Sequence, residues 1–258
     1  MPTQQPLDSV PVPIFIVIFI LLTLGCYEIG FRIGHRRHKA GDAPDDPATG
    51  VIVGAILGLM AFLLAVTMSM AGDRFDNRRS LVLAEANAIS TTYLRAGYLP
   101  QPASDQLRQL LVEYVPLRIA TAPNLQANIV RSEELQRQMW GIAQDVARNN
   151  GSDVVALFIE SLNETIDLHE SRLAAGLYAR VPPTILWLLI GGAILSLGLV
   201  GYNAGLAGRR NPVIAVLLVV AIGAVITLVV DLDRPADGFI QTNQQPLIDL
   251  QQSIESFP

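Results

Sequence analysis

One cysteine and three histidines are all that 258 residues offer to thiolate or imidazole chemistry. The lone Cys26 lies inside an apolar run, which excludes a disulfide framework and a thiolate metal cluster and leaves a small buried hydrophobe. Catalytic signatures are missing too. There is no P-loop, no G-x-S-x-G and no H-E-x-x-H, so nothing pairs a nucleophile with a base and the chain does not read as an enzyme. Basic residues are outnumbered: 18 Lys and Arg against 23 Asp and Glu give a net charge of -5, which excludes the basic face that a nucleic acid requires. The first ten residues, MPTQQPLDSV, hold no Lys or Arg. Without a positive n-region or a cleavage site of small residues, the apolar stretch that follows is expected to stay on the chain.

Charge itself is scarce. Only 16% of residues are charged while 51% are hydrophobic, and a mean hydropathy of +0.40 is too apolar for an ordinary soluble domain. The chain therefore belongs in a membrane, and four uncharged or nearly uncharged runs are long enough to cross one at ~1.5 Å of helix rise per residue. The boundaries follow from these runs. Residues 1–34 form a tail and first span, 35–50 a short basic loop, 51–71 the second span and 72–181 a soluble region. Residues 182–204 form the third span, 205–211 a short basic turn, 212–230 the fourth span and 231–258 a C-terminal tail. The expected fold is an all-α integral membrane protein with four transmembrane helices and a helical-bundle soluble domain inserted between the second and third.

The second span governs the rest, because no Pro interrupts the sequence from Val51 to Leu99 and one helix is expected to leave the membrane and continue into water. Beyond it, Pro100, Pro102, Pro116, Pro123 and Asn149-Asn150-Gly151 divide the soluble region into four helical segments, with Ser104 and Ser152 as N-caps. In the last segment Phe158, Leu162, Ile166, His169, Leu173 and Leu177 recur at three- and four-residue steps. His169 falls on that stripe and is expected to pack rather than to bind a ligand.

Ionisable residues near the membrane have bland readings beside functional ones. Glu28 and Arg32, one turn apart, suit an interfacial salt bridge better than an intramembrane acid. His35 and His38 have metal-like spacing, but Arg36, Arg37 and Lys39 repel cations, so the group reads as a solvated basic collar. Arg32, Arg36, Arg37, Lys39, Arg209 and Arg210 all lie on the short-loop side, which the positive-inside rule places in the cytoplasm, with residues 72–181 outside.

Helix association is what the spans advertise. Gly54, Gly58, Ala61, Ala65, Ser69 and Gly72 mark the second span, and Gly191, Gly192, Ser196, Gly198, Gly201 and Gly205 the third; such residues let backbones approach closely. On another face of the second helix, Ile56, Met60, Leu63, Thr67 and Met70 make an apolar line that ends in Arg74 and Arg78. Around an axis shared by copies, this line is a hydrophobic constriction and the arginines a basic ring favouring anions. Alternatively the line is buried or faces lipid, with the arginines paired to Asp73, Asp76 or lipid phosphate. After the fourth span Asp231, Asp233 and Asp237 surround Arg234, an oxygen-rich group that suits either calcium or a structural turn.

Four stretches carry a family likeness: GLMAFLLAVTMSMAGDRFDNRRSLVLAEANAISTTYLRAGYLP from Gly58, the VPP entry to the third span, GYNAGLAGRR from Gly201, and DLDRPADGFIQTNQQPL from Asp231. Together they resemble the bestrophin-like domain family of bacterial membrane proteins. The resemblance implies a pentameric anion channel, a homo-oligomer passing inorganic ions among membrane lipids. Its second transmembrane helix lines a hydrophobic neck, and a clasp after the last span holds calcium. The counterparts here are residues 56–70 and 231–237. Met and Thr stand where bestrophin necks carry Ile and Phe, and DLDRPAD is less acidic than the clasp. Bestrophins also hold their termini and soluble domain in the cytosol, opposite to the charge count. An oligomeric ion channel is the function expected, and the alternative is a non-conducting scaffold or sensor that couples the soluble helices to the membrane.

Overall fold

The computed structural model describes residues 9–41, 48–119, 124–234 and 238–256. Among the described residues it is built from helices without a strand: α1 (Val12–Ala40), α2 (Ala48–Ala96), α3 (Ala103–Arg118), α4 (Leu125–Asn149), α5 (Asp153–Leu177), α6 (Pro183–Leu206), α7 (Pro212–Asp233) and α8 (Gln245–Ser256). Four of them, α1, α2, α6 and α7, are long and apolar enough to cross a membrane. The chain divides into two compact units, one of residues 1–74 and 180–240, the other of residues 75–179 and 241–258.

In the first unit α1 packs most extensively against α6 and also meets α7. The α1–α6 seam is made by glycines on both helices. A Cβ on Gly30 would overlap the carbonyl oxygen of Gly198, one on Gly34 that of Tyr202, one on Gly201 that of Tyr27 and one on Gly205 that of Phe31. Only residues without side chains permit this approach, and in lipid, where burial from water contributes little between helices, close packing is what holds them together. The proline starts are explained locally: Pro183 and Pro212 occupy first-turn positions whose N–H has no helical acceptor. Asn211 caps α7 by accepting from the Ile214 N–H at 3.3 Å.

The second unit encloses an apolar core. Val82, Ile89 and Tyr93 of α2 meet Leu107 and Leu111 of α3, Leu135 and Met139 of α4, and Phe158 and Leu162 of α5. Leu247, Leu250 and Ile254 of α8 complete it, so the end of the chain is part of this core rather than a separate tail. Two local expectations are corrected. Pro116 does not divide a helix but lies inside α3, whose last turn closes at Arg118, since a missing N–H there removes one bond and ends the helix two residues later. Ser104 is buried in the first turn of α3 behind the N-cap Pro102, and Ser152 stands at the N-cap of α5 without a capping side-chain bond.

Candidate functional site

The membrane part of α2 is apolar on every side, so its sequence marks no face; burial does. Val53, Met60, Leu64, Thr67 and Ala71 are buried and recur at three-, four- and seven-residue steps. They form one line that the chain itself covers. Met60 packs on α6, its Sδ 3.0 Å from where a Cβ on Gly192 would lie, and the Thr67 hydroxyl donates to the Leu63 carbonyl at 2.8 Å. Of the sequence-expected pore line, Met60 and Thr67 are buried within the chain, and Ile56, Leu63 and Met70 stand half-buried on its flank.

The arginines follow the same geometry. Arg78 is buried, and Arg74 is half-buried with its Nη1 enclosed and without a hydrogen bond. Neither forms an exposed basic rim. The side of α2 turned away from the buried line carries Val51, Ala55, Gly58, Phe62, Ala65 and Ser69, all exposed, and it continues into exposed Asp73 and Asp76. Phe62 is 63% exposed, and nothing lies within 4 Å of a Cβ on Gly54 or Gly58. The free face of α2 is thus small residues around one large ring, ending in carboxylates.

Beyond α7 the acidic residues bond to backbone groups. Both Asp231 and Asp233 are buried. Asp231 accepts from the backbone N–H groups of Phe239 at 2.8 Å and Ile240 at 2.9 Å, while Asp233 accepts from the Val181 N–H at 2.7 Å and from the Arg180 guanidinium. Each carboxylate accepts from N–H donors of a different segment, so both aspartates cap backbone groups. Asp237 lies outside the described residues. Among the described residues no group of three or more potential ligands gathers around one point. Arg234 reaches the Val10 carbonyl at 2.6 Å.

Near the basic collar, Glu28 binds both Arg32 at 2.9 Å and Arg210 at 2.7 Å, an ion-pair triad at one end of the spans. His38 Nδ1 lies 2.8 Å from the Leu206 carbonyl, and its ring stacks on His35.

Sequence reasoning missed a buried polar cluster in the second unit. Glu85, wholly enclosed, accepts from Arg118 Nε at 2.6 Å and from Arg172 Nη1 at 2.5 Å, and Arg172 goes on to Gln244 at 2.6 Å. The signal was present: Glu85 is the one acid on the apolar line Val82, Glu85, Ile89 of α2. Next to it the Tyr114 hydroxyl accepts from Gln136 Nε2 at 3.0 Å and sits 3.1 Å from His169 Nδ1. The Tyr114 hydroxyl, with one proton and two lone pairs, links Gln136 to His169 Nδ1. Burial is the first cause that pushes the His169 pKa down, and the Arg118 and Arg172 charges add to it, bringing it to about 3; burial pushes the Tyr114 pKa up.

A pH dependence follows. An unfolded His169 takes up a proton near pH 6.5 but the folded one only near 3, so between those values the unfolded chain binds the extra proton and stability falls as pH falls. Thermal unfolding followed from pH 7.5 down to 4.5 should show a declining midpoint, and His169→Gln should flatten that decline. An unchanged slope in the variant would remove His169 as the cause.

Residues 17–247 match the pattern of the Bestrophin-like domain family. The chain belongs to that family. Solved relatives share its fold. A variant of the bacterial bestrophin homologue from Klebsiella pneumoniae is 18% identical, covering 93% of this chain and 96% of that one with a TM-score of 0.69. Another variant of the same homologue is 17% identical over 98% of this chain and 96% of that one, also at 0.69. The homologue phased with zinc is 16% identical over 93% and 94%, at 0.65. A comparison with curated proteins found no match.

Proposed function

We propose that copies of this chain assemble around an axis, five to a ring, as an ion channel whose lumen is lined by Gly58, Phe62, Ala65 and Ser69 of α2. The observation that carries this reading is that α2 leaves this face uncovered along the length of its span. Small residues let helices stand close about an axis, and the Phe62 rings make an apolar constriction of the kind that gates by dewetting. Family membership supports a channel over an enzyme. Apart from the family resemblance, the anion preference drew on Arg74 and Arg78 at the rim. With those turned inward and Asp73 and Asp76 on the free face, the ring at the mouth is acidic and favours inorganic cations. The bacterial inner membrane is the proposed site, with the short loops that carry Arg36, Arg37, Lys39, Arg209 and Arg210 in the cytoplasm and residues 72–181 outside.

Purified protein in planar bilayers is expected to conduct. Phe62→Ala should raise the unitary conductance by widening the constriction, and Asp73→Asn should lower the cation-to-anion permeability ratio read from the reversal potential. A silent bilayer from correctly assembled oligomers overturns the reading. A scaffold or sensor has its own support, the unbroken 49 residues of α2. It predicts a monomer or dimer, because a lumen with one lining helix per chain needs about four or more copies, so the stoichiometry in nanodiscs separates the two.

A further inference from the structure

Beside the glycine seam, α1 and α6 leave a groove of about 370 Å³ open to the outside of the first unit. Cys26, Gly30 and Ile33 form one wall, and Leu195, Gly198 and Tyr202 the other. Its lining is almost entirely carbon, the flanking Ile29, Ile33 and Leu195 are exposed, and it lies within two candidate spans. In that position only hydrocarbon or another protein surface can fill it.

One end of the groove is not apolar. The Tyr202 hydroxyl accepts from Arg37 Nη1 at 3.2 Å, one turn beyond Ile33 on the same face of α1. This neutral phenol is the polar partner of Arg37 among the described residues, so the exposed guanidinium keeps its charge and most of its donors available. With 29 residues at ~1.5 Å each, α1 exceeds the ~30 Å hydrocarbon core, which puts its last turns, where Arg36, Arg37 and Lys39 stand, in the headgroup layer. The two nearby arginines, Arg32 and Arg210, are already paired with Glu28.

We infer that this groove is a site for an anionic phospholipid, with one acyl chain along Cys26, Gly30 and Gly198 and the phosphate on Arg37 beside the Tyr202 hydroxyl. Charge complementarity selects the occupant: an apolar slot ends at a guanidinium without a carboxylate partner among the described residues, and a fork of N–H donors matches phosphate oxygens. The site is independent of conduction.

Cys26 lines the groove and is the only cysteine, so a fluorophore attached there reports on its contents. Full-length protein labelled at Cys26 is reconstituted in phosphatidylcholine vesicles that contain a small fraction of doxyl-chain phosphatidylglycerol or doxyl-chain phosphatidylcholine. Phosphatidylglycerol is expected to quench with about fivefold greater apparent affinity, the effect of one basic side chain at the membrane surface, and Arg37→Gln should make the two lipids equal. Glycerol phosphate added to the solution should not displace the quencher. Equal quenching by both lipids in the unsubstituted chain overturns the proposal in favour of bulk lipid. Quenching by neither means that a second copy covers the groove, and full displacement by glycerol phosphate means that the acyl chain is not read. In case the label disturbs the groove, native mass spectrometry of unlabelled protein gives the same comparison as retained phosphatidylglycerol, which should be lost in Arg37→Gln.

Discussion

Glu85→Ala should cost about 3–5 kcal/mol of stability, the range for breaking a buried ion pair by removing one partner. The carboxylate is enclosed, with Arg118 and Arg172 only 5% and 15% exposed at 2.6 and 2.5 Å from its two oxygens. Removing it leaves two guanidinium groups facing each other without an anion, and burial already pushes the Arg172 pKa down, a mark of how poorly that site tolerates positive charge. Domains of this size are stable by only about 5–15 kcal/mol, so the loss is a large share of the total. Glu85→Gln preserves volume and one acceptor but turns an N–H₂ toward an arginine, so it should fall between the two. Glu113→Ala is the contrast, since the Glu113–Arg131 pair is nearly half exposed on both sides and should be worth about 0–1 kcal/mol. Chemical denaturation followed by circular dichroism measures all three. A Glu85→Ala loss no larger than that of Glu113→Ala would falsify the buried cluster as the anchor of the second unit.

The α1–α6 seam should be as intolerant for a different reason. Gly30→Ala places a methyl on the carbonyl oxygen of Gly198, and Gly201→Ala does the same to Tyr27. Backbone cannot rotate out of the way as a side chain would, so the helices must separate by on the order of 1 Å, which forfeits much of the dispersion contact along the seam. Single overpacking changes cost about 1–3 kcal/mol, and Gly30→Ala combined with Gly201→Ala should abolish a folded first unit. Gly25→Ala, on the same helix with nothing within 4 Å of its Cβ, should be neutral or slightly stabilising through helix propensity. Thermal aggregation in detergent distinguishes them, and a seam variant as robust as Gly25→Ala would mean that α1 and α6 do not meet through these glycines.

The same contrast runs through what was readable in advance. Four membrane-length helices, the absence of an enzyme motif and the unbroken α2 are written in composition and in the spacing of prolines, because a bilayer demands about twenty apolar residues with every backbone group bonded within its own helix. The His169 stripe was visible at helical period, as was Glu85 within an apolar line. The free face of α2 was not, since a span that is apolar all the way round gives a period no contrast to act on, and the line ending in Arg74 and Arg78 drew attention by its charges. Nor were the partners of Asp231 and Asp233, which are a loop beyond α7 and the segment just before α6. The sequence by itself determined where the helices are and that most of their surface seeks hydrocarbon, because both follow from neighbours along the chain. Only the tertiary structure decided which side of α2 stays open, that α8 returns to the core of residues 75–179, and that the aspartates cap backbone; each depends on groups far apart in the chain, whose meeting local pattern does not encode.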